Sequence, residues 1–398
     1  MQSLKELYRI GAGPSSSHTM GPQKASLFMK NKYLNADRYE VVLCGSLALT
    51  GVGHLTDYII KKTLGEDITN IVFDLNKKIE HPNTMYIKAF YKENLLAEQE
   101  FVSIGGGALI IKGQEESEAK EVYTFKDFQE IKEYLNKNNL TLQEFVYEHE
   151  DEDIKYYLEE VYNTMKNAVN HGLVSSGVLP GRLKVERKAP FLAMPKSNDE
   201  EPEITQKRII SSYAYAVSEE NASGGIIVTA PTCGSCGVLP AVLIYLENKY
   251  HYSLNQMLDA LAVASVFGNI IKQNASISGA YAGCQSEIGS ACSMAAAAAS
   301  FLRGGTLDEI EYAAEIAMEH FLGLTCDPID GLVQIPCIER NAVAALRAVD
   351  SQVLASFLGK SNKINFDTVV KTMLETGKDL PHAYKETSIG GLANHYNC

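Results

Sequence analysis

Ser286–Leu302, SEIGSACSMAAAAASFL, decides the fold of the C-terminal half of the chain. Alanine is the best helix former, and its small side chain lets packed helices approach closely. Working outward, apolar alanine-rich stretches recur at 204–220, 239–249, 254–272, 307–323, 337–357 and 366–376. Strand signals nearly vanish there, so the pattern predicts an all-α domain over 204–398. The longest apolar run, around Ala291 to Leu302, falls short of the ~20 residues a membrane helix needs.

The N-terminal part reads differently. Tyr39–Cys44 (YEVVLC), Asn70–Leu75, Thr84–Tyr91 and Glu98–Ile104 are rich in β-branched and aromatic residues and predict strands. Ser46–Leu64 carries apolar residues at helical spacing. His81-Pro82-Asn83 and Gly105-Gly106-Gly107 mark turns. An antiparallel sheet with helices packed on it is the expectation. Residues ~125–172 read as helical and acidic, and ~174–203 as a Gly/Pro-punctuated connection. The predicted class is α+β. The predicted division is a mixed α/β domain over 1–125, an acidic helical linker and connection over 126–203, and the all-α domain over 204–398.

The 398 residues carry a net charge of −13, which argues against nucleic acid or an anionic membrane as partner. Residues 115–160 hold 15 Asp or Glu against 5 Lys or Arg, the pattern of a solvated helical face. No EF-hand spacing accompanies them. The opening MQSLKELYRIG lacks the basic-then-apolar layout of a signal peptide, so a cytoplasmic location is expected. A homodimer is the default oligomer.

Eight cysteines in a reducing cytosol point to metal binding or catalysis more than to disulfides. Glycine and cysteine clusters interrupt the helices at Thr229–Pro240 (TAPTCGSCGVLP), Asn274–Cys284 (NASISGAYAGC), Thr325–Cys337 (TCDPIDGLVQIPC) and the final residue, Cys398. Cys326 and Cys337 are 11 apart, and Cys284 lies 42 residues before Cys326. Three thiolates converging near helix ends can hold a [4Fe–4S] cluster and leave one iron open as a Lewis acid. The spacing matches neither a ferredoxin run nor a zinc-finger pair, so buried structural cysteines remain an open alternative. Cys398 ends the chain with both a thiol and a carboxylate, and can reach back to a fourth iron.

GPSSSHT (Gly13–Thr19), GSLALTGVGHLTD (Gly45–Asp57), TAPTCGSCGVLPAVL, NASISGAYAGCQSEIGSACSMAAA and LTCDPIDGLVQIPCIERNAVAA closely resemble the bacterial iron–sulfur L-serine dehydratases. The resemblance runs from about residue 8 to the C-terminus and is weakest in the acidic middle. It implies deamination of L-serine to pyruvate and ammonia. It also implies a [4Fe–4S] cluster held by Cys284, Cys326 and Cys337, with Cys398 standing where some members place a resting fourth ligand. One departure is Cys233-Gly234-Ser235-Cys236, where many members carry Asn-Gly-Ala-Ala. A Cys-x-x-Cys at a helix start can be redox-active or bind metal, because the helix N-terminus lowers thiol pKa. The alternative is a glycine-rich turn that presents backbone N–H groups, with the cysteines as small fillers.

The base that takes the α-proton must sit near neutral pKa and within hydrogen-bond reach. His54 is the first candidate, on a predicted helix with Asp57 one turn on to orient the ring. A satisfied core histidine is the structural alternative. His18 is the second candidate. Ser15, Ser16, Ser17, His18 and Thr19 form a concentrated donor set at a helix start, suited to the substrate carboxylate. Lys272 and Asn274, ahead of Cys284, are candidates to hold substrate or surround the cluster. The Ser-x-Lys-x-Arg-Gly pattern of pyridoxal phosphate serine dehydratases is absent, so no pyridoxal phosphate is expected. His320 and Glu339-Arg340-Asn341 rank lower. Three other readings stand beside this one: a related iron–sulfur lyase for threonine or cysteine, a zinc or redox-sensing protein built on Cys233 and Cys236, and a serine-sensing N-terminal domain.

Overall fold

A computed structural model describes residues 1–114, 121–197 and 199–396. The first part contains β1 (Ile10–Ala12), α1 (Gly21–Lys32), β2 (Arg38–Cys44), α2 (Gly45–Thr50), α3 (Thr56–Leu64), β3 (Thr69–Asp74), β4 (Thr84–Tyr91), β5 (Asn94–Gly105) and β6 (Ala108–Ile111). Five of these strands form one sheet in the order β3-β2-β4-β5-β6. Three of its pairings are antiparallel, as expected. The fourth, β2 with β3, is parallel, with Tyr39 opposite Thr69 and Cys44 opposite Asp74. A parallel pair needs a crossover connection, and α2 and α3 supply it. The inner face of the sheet (Val41, Leu43, Met85, Ile87, Phe101) packs on Ala25 and Met29 of α1 and on Ile59 and Ile60 of α3.

The remainder is mostly helical: α4 (Phe128–Asn138), α5 (Leu142–His149), α6 (Ile154–Val174), α7 (Ala189–Ala193), α8 (Pro202–Ala222), α9 (Val238–Tyr250), α10 (Leu254–Asn274), α11 (Gly279–Ala282), α12 (Ile288–Leu302), α13 (Leu307–Glu319), α14 (Cys337–Leu358), α15 (Phe366–Asp379) and α16 (Gly391–His395). The alanine-rich α12 is the axis of this body. Every residue from Ile288 to Ser300 is buried, and α9, α10, α13 and α14 surround it. Its polar side chains are satisfied inside the core: Ser290 Oγ donates to Ser286 O at 2.6 Å and Ser293 Oγ to Ala314 O at 2.8 Å. Burying hydroxyls without such partners would be costly. One helix, α10, has the length and apolar composition of a membrane span, but most of it is buried inside this body.

Three features differ from the sequence expectations. First, the acidic segment, expected as a helical linker with a solvated face, also contributes to the core. Phe128, Ile131, Leu135, Phe145, Leu158, Val161 and Met165 of α4–α6 enter the same core as α9–α13, while Glu133, Asp151, Glu152 and Glu160 stay exposed. The acidity is the outer face of amphipathic helices. Second, the body contains a strand, β7 (Ile226–Val228), which pairs antiparallel with β1 from the chain start. Leu4, Leu7 and Tyr8 are buried in the helical core, and the Tyr8 hydroxyl donates to Leu261 O at 2.9 Å. Three-residue strands are too short to announce themselves by alternation. Third, the helix expected over Ser46–Leu64 breaks after Thr50 and resumes at Thr56, with Leu55 at φ 55°. His54 therefore sits in a turn, not on a helix.

Candidate active site

Strand β1 leads directly into Gly13–Thr19, so its pairing with β7 lays the serine-rich turn against the helical body. Ser15 caps the following helical turn, its Oγ accepting from His18 N at 3.1 Å. Across from it lie the three cysteine segments. Cys284 follows Gly283, whose φ of 76° and close approach to Leu324 O leave no room for a side chain. Cys326 lies on an extended loop held by the tail: Cys326 N donates to Tyr384 O and Glu386 N to Cys326 O, each at 2.8 Å. Cys337 opens α14.

These pieces surround one cavity of about 1130 Å³. Ser15, Ser16 and Ser17 line it, as do Cys284, Cys326 and Cys337. Lys272 lines it too, with Nζ bonded to Gln2 Oε1 at 2.8 Å and Glu6 O at 3.1 Å. Burial, then the nearby Arg9, pulls the Lys272 ammonium down to about 8. Asn274 does not join them. Its Nδ2 donates to Lys126 O at 2.8 Å, because α10 ends with that side chain turned toward the segment before α4. Thr19 is likewise occupied, with Oγ1 donating to His54 O at 2.7 Å. His320 stays at the end of α13, bonded to Ile316 O. Cys398 lies outside the described residues.

The two histidines are neighbours. Their ring centroids lie 4.7 Å apart. His18 Nδ1 is 2.8 Å from Ser17 Oγ and its Nε2 is 2.9 Å from Ser46 Oγ. His54 Nδ1 is 3.2 Å from Thr50 O. A carbonyl only accepts, so Nδ1 of His54 carries the proton and Nε2 keeps a free lone pair. Thr50, rather than the expected Asp57, orients the ring. Burial, with the His54 charge second, drops His18 to about 3, and burial drops His54 to about 4. Both imidazoles are therefore neutral at ordinary pH. Neither lines the cavity directly; Ser17 stands between it and His18.

The thiol surroundings are tied together by two residues next to Cys337. Arg340 donates to Thr325 O at 2.7 Å and to Asp327 Oδ1 at 3.0 Å, which fastens the Cys326 loop. Asn341 accepts from Gly237 N at 2.9 Å and donates to Gly234 O and Cys337 O, which fastens the Cys233–Gly237 loop. Cys326 is pushed well up, first by its contact with Cys284 and then by burial. Burial and the neighbouring Cys284 raise Cys337. Cys233 and Cys236 are fully buried and also raised, so burial outweighs any helix-end effect, in keeping with the reading of the pair as small fillers.

Among the described residues, no three His, Cys, Asp or Glu side chains close on a point the size of one metal ion. Cys284, Cys326 and Cys337 instead flank a cavity, which is the room a multi-iron cluster requires. The Cys326 and Cys337 thiols, which resist ionisation by themselves, are donors that a cationic centre would deprotonate. The donor set therefore fits a [4Fe–4S] cluster.

Two acidic residues on this wall escaped the sequence reading, Glu287 and Glu386. Thr232 Oγ1 donates to Glu287 Oε1 at 2.7 Å. Burial raises the Glu287 carboxyl, against the pull of Thr232 and Arg340. Glu386 is exposed toward the cavity, and loss of solvation in the recess with the nearby Glu287 pushes it up to about 8. The position of Glu287 three residues after Cys284 was the only available signal. Glu386 sits in a tail segment with no recognisable pattern.

Known proteins match the chain along its length. A model of the serine dehydratase beta chain matches residues 3–66 and one of the serine dehydratase alpha chain matches residues 66–393. The chain is 38% identical to L-serine dehydratase 2 of Escherichia coli, covering 99% of this chain and 98% of that relative. It is 37% identical to L-serine dehydratase of Haemophilus influenzae, covering 100% of both. It is 37% identical to L-serine dehydratase of Helicobacter pylori, covering 100% of this chain and 99% of the relative. With both family models matched end to end and full-length relatives at this identity, the chain belongs to the serine dehydratase family.

Proposed function

We propose that this chain is a cytoplasmic lyase that converts L-serine to pyruvate and ammonia. Loss of the α-proton and β-hydroxyl would give 2-aminoacrylate, which water hydrolyses. The observation that carries this reading is the single cavity shared by the serine turn and the three cysteines in a chain of this family. Cys284, Cys326 and Cys337 would hold a [4Fe–4S] cluster, which supplies a Lewis acid for the departing hydroxyl. Ser15, Ser16 and Ser17 bind the substrate carboxylate through hydroxyl and backbone donors on the cavity wall. The imidazole pair, neutral and so able to accept a proton, is assigned as the base, with both pKa values held by burial below the near-neutral range expected from the sequence. His54 offers Nε2 as a free lone pair, and His18 reaches the cavity through Ser17 Oγ, its Nδ1 partner. Arg340 and Asn341 hold the cysteine loops in register.

The test is an anaerobic substrate panel after iron and sulfide reconstitution. Pyruvate and ammonia from L-serine, at a kcat/KM well above those for L-threonine and L-cysteine, is the expected result. Faster elimination from threonine or cysteine would move the assignment to a related lyase.

A further inference from the structure

The cysteine end of the cavity is short of positive charge. Thr232, Cys233, Gly234, Gly279, Glu287 and Glu386 line it beside the three cysteines. Among the described residues, the cations that line the same cavity are Arg9, Lys24 and Lys272, and each is already engaged. Arg9 is paired with Glu6 and bonded to Gly106 O. Lys24 donates to Gly107 O at 2.7 Å and Lys272 to Gln2 and Glu6. Arg340 is committed to Asp327 and Thr325.

Glu287 is also set up to receive something. Thr232 fixes one oxygen, Oε1. Two glycines, one in the Cys233–Gly237 loop and one at the start of α11, pack directly against the carboxylate. A Cβ on Gly234 would lie 2.9 Å from Oε1, and one on Gly279 would lie 2.7 Å from Oε2 and 3.2 Å from Cys326 Sγ. Neither glycine is in the left-handed region, so their backbones do not demand glycine. Gly279 thus lies between the carboxylate and the Cys326 thiol, and its missing side chain lets the two approach. Glu287 and the three cysteines line the same cavity.

We propose that Glu287 receives the α-ammonium group of the amino-acid substrate, and so distinguishes amino acids from hydroxy acids. The inference rests on the L-serine reading above. In serine the ammonium and hydroxyl are on adjacent carbons, so one group reaches Glu287 while the other faces the thiols. Gly234 and Gly279 let the carboxylate seat at this wall of the cavity.

The test compares L-serine with 3-hydroxypropanoate, which keeps the hydroxyl and carboxylate but lacks the ammonium. Anaerobically reconstituted wild-type protein, Glu287→Gln and Glu386→Gln are measured for iron and sulfide content, KM for L-serine, and binding of both compounds by calorimetry. Glu287→Gln is expected to keep its iron and to weaken L-serine roughly 10- to 100-fold, the scale of a lost charge-assisted hydrogen bond. Its binding of 3-hydroxypropanoate should change by less than about 3-fold on the same scale. Equal weakening of both compounds, no change in either, or a selective loss in Glu386→Gln instead would overturn the assignment while leaving the serine reading intact. A cluster-bearing wild type that neither binds nor turns over L-serine would overturn both.

Discussion

The imidazoles of His18 and His54 lie 4.7 Å apart, inclined at 41°, although 36 residues separate them in the chain. The pair is held by backbone as well as side chains: Thr19 Oγ1 donates to His54 O and Thr56 Oγ1 to His18 O. Each histidine's turn is thus pinned by a threonine next to the other.

This pairing fixes a pH dependence. Both rings have folded-state pKa values far below the ordinary 6.5, at about 3 and about 4. Between pH 6.5 and 4 the unfolded chain takes up protons that the folded chain refuses. Their contribution is therefore intact above pH 6.5 and shrinks as pH falls. At pH 5 each histidine costs about 2 kcal/mol relative to neutral pH. Urea midpoints of wild type and His54→Gln, measured at pH 7 and pH 5, should show a smaller acid loss in the variant. Parallel curves would contradict the burial of that ring.

Ser17 connects His18 to the cavity. Ser17→Ala should keep the cluster absorbance and lower kcat by roughly 10- to 100-fold, within the range of general-base effects. His54→Gln should lose more. A Ser17→Ala enzyme with unchanged kcat would show that proton transfer bypasses this hydroxyl.

Asn341 satisfies three backbone groups, two in the Cys233–Gly237 loop and one at the start of its own helix, and is almost fully buried. Replacing it by alanine strands Gly237 N and should cost about 1–3 kcal/mol. Thermal unfolding would report the loss, and iron retention should fall with it.

The chain start is a structural part of the helical body. Leu7→Ala should therefore destabilise the protein by about 2–5 kcal/mol, as a core leucine does. An effect below 0.5 kcal/mol in urea unfolding would show that the N-terminal segment packs loosely.

The long helices were legible because composition and period agree over many residues. Ser286–Leu302 needed no other signal, and the strands Tyr39–Cys44 and Thr84–Tyr91 were plain from their β-branched and aromatic content. The cysteine segments and the serine turn stood out as irregular, glycine-punctuated breaks. What the sequence concealed depends on contacts between distant segments. β1 and β7 are three residues each and exist through their pairing. Asn274 resembles its neighbours in sequence, yet its side chain faces the other way. Glu287 is an ordinary residue at a helix start until Thr232, Gly234 and Gly279 are brought around it.

The most direct test of the three-cysteine centre uses a single anaerobic sample. Wild type and Cys326→Ser are reconstituted with iron and sulfide, and the visible spectrum and pyruvate formation from L-serine are recorded together. Brown wild-type protein whose turnover dies in air, beside a Cys326→Ser variant lacking both colour and turnover, is the predicted result. A colourless, inactive wild type, or a Cys326→Ser variant that keeps colour and rate, would contradict it.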